Sequence, residues 1–148
     1  MKYHAKFDQI IIRFSTKFIN LPPENMDEGI NEALRTIGEF TGADRSYIFL
    51  FREGLQWMDK THEWTAPGIT SFIHKLQNLA TASFPWFMER IRKQEIVYVP
   101  RVADLPPEAS AEKREWQSQN IKSLINVPMV CRGKLIGFLG FDSVKAEK

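Results

Sequence analysis

Two apolar runs near the C-terminal end, "SLINVPMV" (123–130) and "KLIGFLGFD" (134–142), are separated only by "CRG". Apolar strand-like segments joined by so short a glycine-containing turn pair with each other as an antiparallel hairpin. Pro128 lies inside the first run and has no amide hydrogen to give, so a bulge or a local sheet edge is expected there. The hairpin commits the chain to a sheet that is antiparallel at least in part, and the remaining sequence has to supply both its other strands and its cover.

The cover is legible upstream. Tyr3, Phe7, Ile10, Phe14 and Phe18 recur at spacings of three and four, the pattern of one helical stripe, and "NLPPEN" interrupts it with two prolines. A second helix follows, with Met26, Ile30, Ala33, Leu34, Ile37 and Phe40 on one face, acidic residues in its first turn and Gly42 as its stop. At "RSYIFLF" (45–51) the period changes to a short β-branched and aromatic run, apolar on both faces, as expected of a central strand. "REG" turns the chain into a second strand from Leu55 to Trp64.

Residues 66–120 are less regular. They are expected to hold a loop with short helices at 69–78, a helix from Ser83 to Lys93, the strand "EIVYVP" and a helix from Glu108 to Gln119. In "SFPWFMERIRK" (83–93), Ser83 is placed to cap, Pro85 to occupy the first turn, and Phe84, Phe87, Met88 and Ile91 to face inward. The order helix, helix, hairpin, helical excursion, strand, helix, hairpin describes an α+β domain built on a mostly antiparallel sheet.

A chain of 148 residues suits a single domain. Its net charge of +2 is too small to imply nucleic acid or an acidic membrane as partner. It has one cysteine, Cys131, so no internal disulfide and no multi-cysteine zinc site is expected, and a reducing cytoplasmic compartment suits it. No uncharged apolar run reaches the length of about 20 residues that spans a bilayer.

"TGADRSYIFLF", "THEW", "SFPWFMERIRKQEIVYVPRVADLPPEA" and "IKSLINVPMVCRGKLIGFLGFDS", in this order, resemble the GAF domain family, and the similarity runs over nearly the whole chain. The resemblance implies a central six-stranded antiparallel sheet with the terminal helices on one face and the short-helix excursion, enclosing a pocket, on the other. It is strongest to GAF domains that precede histidine kinase, diguanylate cyclase or related output modules. Such domains continue into a C-terminal helix where this chain ends at "DSVKAEK", so residues 1–148 read as a single excised or truncated sensor domain.

Catalytic and cofactor chemistry finds little support. The family's methionine sulfoxide reductase type needs several cysteines. Covalent bilin attachment in phytochrome-like relatives uses a cysteine in the excursion, and none precedes residue 131. The cyclic-nucleotide signature of other relatives cannot be placed. Haem needs an axial ligand, for which His62 and His74 are the available donors, and a structural or solvent-facing imidazole is favoured for both. Three isolated histidines show no metal-site spacing, and the glycines of "GKLIGFLGFD" lack the following helix of a phosphate loop.

The aromatic residues of the excursion remain. Trp64, Phe84, Trp86 and Trp116, with Tyr98 and Arg101 as orienting groups, are the candidate pocket for a small molecule. The same aromatics can equally fill that space as core. The expected function is a regulatory, non-catalytic sensor that binds a small molecule or relays a conformational change to an attached output module. The alternative is a ligand-free assembly module that homodimerises along Tyr3, Phe7, Ile10, Phe14 and Phe18, although that stripe can also simply pack on the sheet.

Overall fold

The computed structural model describes residues 26–146. The helix and dimer seam expected at residues 3–18 lie outside the described residues. The chain runs through α1 (Met26–Thr41), β1 (Arg45–Arg52), β2 (Trp57–Thr65), β3 (Leu79–Ala80), α2 (Pro85–Arg92), β4 (Val97–Val99), α3 (Ser110–Ser118), β5 (Ser123–Cys131) and β6 (Lys134–Ser143). The strands form one six-stranded sheet in the order β3-β2-β1-β6-β5-β4, with every pairing antiparallel. This is the α+β architecture with the central strand β1 that the sequence predicts.

The apolar stripe of α1 explains one face. Ile30, Ala33, Leu34 and Ile37 are buried against Ile48, Ile125, Leu139 and Phe141 of the sheet. The helix ends where Gly42 takes φ +73° and the Ala43 N–H reaches back to the Gly38 carbonyl, which satisfies one of the orphan acceptors of the last turn. The other face carries Tyr47, Phe49, Met58, Val97, Val99, Leu124 and Phe138, covered by Phe87, Met88 and Ile91 of α2. Strand alternation accounts for the sorting, since neighbouring residues of β1 point to opposite faces.

One irregularity breaks that alternation. Ile48 pairs with His62 and Phe49 with Lys60, so Thr61 is an extra residue, a β-bulge in β2. The bulge inverts the facing of everything after it. Lys60 lies on the α2 side, whereas His62 and Trp64 turn to α1 and Glu63 rejoins the α2 side. A second bulge falls between Met129 and Val130, next to Pro128, where β4 has already ended and leaves β5 without a partner on that side.

Three sequence expectations change. Strand β2 starts at Trp57 rather than Leu55, because Glu53, Gly54 and Leu55 all have positive φ and belong to the turn. Residues 69–78 form turns and no helix: Phe72 and Leu76 close one helical turn, and Asn78, at φ +54°, diverts the chain into β3. The first residue of α2 is Pro85, preceded by Phe84 at the cap position, and Ser83 makes no capping hydrogen bond. The two residues of β3 carry too little pattern to be seen in the sequence.

Trp64 packs its ring against the backbone of α1 at Gly38, where an added Cβ would collide with the indole. Gly38→Ala is therefore expected to destabilise the fold by about 1–3 kcal/mol through overpacking. Urea denaturation checks this, and an unchanged midpoint would show that helix and indole separate without cost.

Candidate ligand site

On the α2 side, side chains from β1, β2, β5, β6, α2 and α3 leave a half-enclosed space of about 40 Å³. Its floor is aromatic. Phe49 stacks on Phe138 at 4.8 Å between centroids, Phe87 meets Phe138 edge-on at 4.9 Å, and Trp116 closes the side at 6.2 Å from Phe87. Its polar wall consists of Tyr47, Lys60, Glu112, Glu115, Gln119 and Asn126.

Tyr47, Lys60 and Asn126 belong to a buried network. Arg45 Nη1 donates to Asp142 Oδ2 at 3.2 Å, and Arg45 Nη2 to the Gln119 carbonyl at 2.8 Å. The Tyr47 hydroxyl lies 2.7 Å from Asp142 Oδ1 and 3.2 Å from Asn126 Oδ1. Lys60 Nζ donates to Glu63 Oε2 and sits 4.4 Å from the centre of the Tyr47 ring. Glu63 also accepts from Ser71 and from the Phe72 amide, which ties the 66–78 segment to β2. All four charged side chains, Arg45, Lys60, Glu63 and Asp142, are at most 2% exposed.

Burial raises the Tyr47 hydroxyl pKa well above its ordinary value, and the Asp142 charge adds to the rise. Burial also raises the Asp142 carboxyl, against the pull of Lys60 and Arg45. Lys60 is lowered, again chiefly by burial, with Asp142 and Glu63 opposing. For Glu63 burial acts upward, but the Lys60 charge and the hydrogen bonds from Lys60, Ser71 and Phe72 together outweigh it and hold the carboxyl below its ordinary range.

Glu112 extends the wall from α3. It is fully buried, and its Oε2 accepts the Phe87 amide at 2.9 Å, so it caps the N-terminus of α2 from another helix. This contact takes the place of the cap expected from Ser83.

The six predicted pocket residues divide three ways. Phe84 and Trp116 line the half-enclosed space. Trp86, Tyr98 and Arg101 instead border a separate open groove of about 260 Å³ outside it, with Arg90 stacked 4.0 Å over the Trp86 ring and Arg101 paired to Asp104 at 3.5 Å. Tyr98 also packs toward the α1 face, because Val97 and Val99 on either side take the inward positions of β4. Trp64 lies on the α1 face altogether, turned there by the Thr61 bulge.

His62 is engaged by Asp27 of α1 at 2.8 Å and by Thr61 at 2.9 Å, while His74 is exposed; neither lines the half-enclosed space. Cys131 is exposed at the end of β5. Among the described residues no three histidine, cysteine or acidic side chains are grouped to hold a metal ion. No helix among them is long and apolar enough to cross a membrane.

Arg45, Tyr47, Lys60, Glu63, Glu112, Asn126 and Asp142 were not singled out by sequence reasoning. The signal available was polar residues inside otherwise apolar strands, as at Arg45, Asn126 and Asp142.

Phe87, 3% exposed, is the inward-facing aromatic of α2, and partly buried Trp86 is its outer wall. Phe87→Ala is expected to cost about 3–5 kcal/mol and Trp86→Ala clearly less, measured by urea denaturation; equal costs would place Trp86 in the core. A second expectation concerns acid. Because the folded-state pKa of Glu63 is depressed, its ionisation stabilises the fold above its unfolded-state pKa, and that contribution is lost as pH falls through the folded value. Asp142, being raised, works in the opposite sense. Glu63→Gln should lose about 3–5 kcal/mol at neutral pH, with Lys60 left buried and unpaired, and should show a shallower acid limb in melting temperature against pH. Parallel acid limbs would remove Glu63 as its source.

The model of the GAF domain matches residues 25–147. The methanogenesis regulatory histidine kinase FilI of Methanothrix harundinacea (strain 6Ac) is 30% identical over 131 residues, which cover 84% of this chain but only 14% of that protein's length. Among solved structures, the phycocyanobilin-bound GAF domain of a cyanobacterial phytochrome superposes with a TM-score of 0.72 at 16% identity, over 100% of this chain and 84% of that one. A domain assigned to a two-component sensor histidine kinase protein of Sinorhizobium meliloti 1021 does so with a TM-score of 0.61 at 22% identity, over 83% and 77%. The matched span begins one residue before α1 and extends past β6, taking in every element described above, and the chain belongs to the GAF domain family.

Proposed function

We propose that residues 1–148 are one sensory unit of a longer, cytoplasmic signalling protein, regulating an attached output module such as a histidine kinase while doing no chemistry themselves. The observation that carries this reading is that the polar wall of the half-enclosed space is shared with the strand by which the chain leaves the sheet. Tyr47, which lines the space, bonds Asp142 near the end of β6, and Arg45 clamps the same carboxylate. Two residues on, the amides of Val144 and Lys145 donate to Asp44 at 2.6 and 3.0 Å, which fixes the departing chain to the α1–β1 loop. A ligand that moves Tyr47 thereby acts on the Asp142 anchor of the exit.

The ligand is compact. The space of about 40 Å³ would have to open before it took a tetrapyrrole such as the bilin of the cyanobacterial neighbour, since sites for ligands of drug size run to about 300–1,000 Å³. Control further requires that the ligand bind two conformations with different affinity, because a tight fit to both shifts nothing.

In a ligand screen on the parent protein, followed by melting temperature and output activity, a binder should change both. Asp142→Asn should leave binding within about threefold and blunt the change in output. If no small molecule alters stability or output, the sensing proposal is lost. The assembly alternative draws on Phe40, 60% exposed on α1, together with the apolar stripe at residues 3–18. Light scattering across a concentration series tests homodimerisation, and a strictly monomeric protein would remove it.

A further inference from the structure

The 66–78 segment separates two spaces. Leu76 is buried and lines the half-enclosed space, whereas Ile73, His74 and Gln77 line a polar cleft of about 650 Å³, and Lys60 borders both. The partition is one turn of chain, and what holds it is mostly polar. Glu63 accepts from the Ser71 hydroxyl and from the Phe72 amide at 3.2 Å, Gln77 Nε2 donates to the Lys60 carbonyl at 2.7 Å, and the Lys60 amide donates to the Leu76 carbonyl at 2.9 Å. Leu76 is the only buried residue between 66 and 78. A stretch with so few buried apolar groups opens locally at less cost than the sheet beneath it. It is bounded by two sharp changes of chain direction, at Gly68 (φ +82°) and Asn78 (φ +54°), the kind of position that absorbs the dihedral change of a hinge. Asn78 is the fixed end, with its amide bonded to Asp59 Oδ1 at 2.7 Å.

We propose that residues 69–77 are a lid on the half-enclosed space, latched by Glu63, and that opening it joins that space to the polar cleft. The inference rests on the sensory reading of the same site and adds the gate that sets ligand size. A ligand no larger than the closed space lets Leu76 return and favours the closed lid. A larger one finds no room beneath Leu76 and binds the open lid alone. The two shift one equilibrium in opposite directions, which is the differential affinity that control requires. The lid also reaches the exit of β6. The Arg45 guanidinium lies 4.9 Å from the centre of the Phe72 ring, and Arg45 clamps Asp142. Opening withdraws that ring from the clamp, so lid and departing strand are linked through one arginine.

Ser71→Ala combined with Gln77→Ala removes two latch bonds at exposed positions. Amide hydrogen exchange on the 148-residue chain reads the opening at the Lys60 and Phe72 amides, whose bonds cross between the lid and β2. In the wild type these two should exchange faster than the amides between β1 and β6, and in the double variant faster again by about tenfold, with the β1–β6 amides unchanged. Anilinonaphthalene sulfonate, a probe larger than the closed space, should bind the variant more tightly by the same factor, because its apparent affinity follows the fraction of open lid. Shifts of the Phe49 and Phe138 amide resonances locate it in the space. Equal factors in exchange and affinity sustain the lid. Lys60 and Phe72 amides as protected as those of the sheet overturn it, and so does faster exchange with unchanged probe affinity. Should the double variant not fold, Gln77→Ala alone carries the same comparison with a smaller factor. The sensory reading survives either failure, since it falls only if no small molecule alters stability or output.

Discussion

The α2 face of the sheet is organised around buried charge. Arg45 and Asp142 are each 1% exposed and joined at 3.2 Å, and Lys60 and Glu63 form a second pair nearby. Desolvating two ions costs several kcal/mol apiece, and mutual attraction offsets this only when the remaining donors and acceptors also find partners. Here most do: the Gln119 carbonyl takes Arg45 Nη2, Tyr47 takes the second oxygen of Asp142, and Ser71 and Phe72 complete Glu63. These partners come from three separate stretches of chain. The network therefore fixes β1, β2, β6, the 66–78 segment and the end of α3 against one another in a way that apolar packing, which has no direction, does not.

The Thr61 bulge makes that arrangement geometrically accessible. In a regular strand Lys60 and Glu63 would point to opposite faces and Trp64 would share the face of Lys60. With one extra residue, Lys60 and Glu63 meet on the α2 side while His62 and Trp64 go to α1, where Asp27 and Gly38 receive them. A single irregularity thus supplies both the buried ion pair of one face and the helix contact of the other.

The sequence discloses the fold well because the fold depends on repeated signals. The stripe of Ile30, Leu34 and Ile37, the alternation through Tyr47 and Phe49, and the two runs around "CRG" each carry several residues of period. The site is legible only in part. Phe84 and Trp116 are found by their aromatic character, but Trp64 is misplaced because a bulge leaves no mark in a residue pattern, and Tyr98 because the facing of a three-residue strand rests on which of its neighbours pack inward. Lys60, Glu63 and Glu112 look like surface residues of an amphipathic segment, since charge predicts exposure unless its partner is known. Those partners are set by tertiary contacts such as the 25 positions between Glu112 and Phe87, which local patterning does not encode.

The two polar systems of the site differ in completeness, and the difference bears on how it can work. The Lys60–Glu63 pair is closed: its carboxylate is surrounded by donors, and it holds the 66–78 segment in place. Glu112 is less complete, with one oxygen bonded to the Phe87 amide and the other buried without a donor among the described residues. A site in which every polar group were satisfied would resist any ligand, because each new bond would have to replace an old one. A site with none satisfied would not hold its shape. The closed pair supplies rigidity, since every oxygen of its carboxylate already has a donor. Tyr47 joins the space to the sheet, lining it on one side and bonded to Asp142 near the end of β6 on the other.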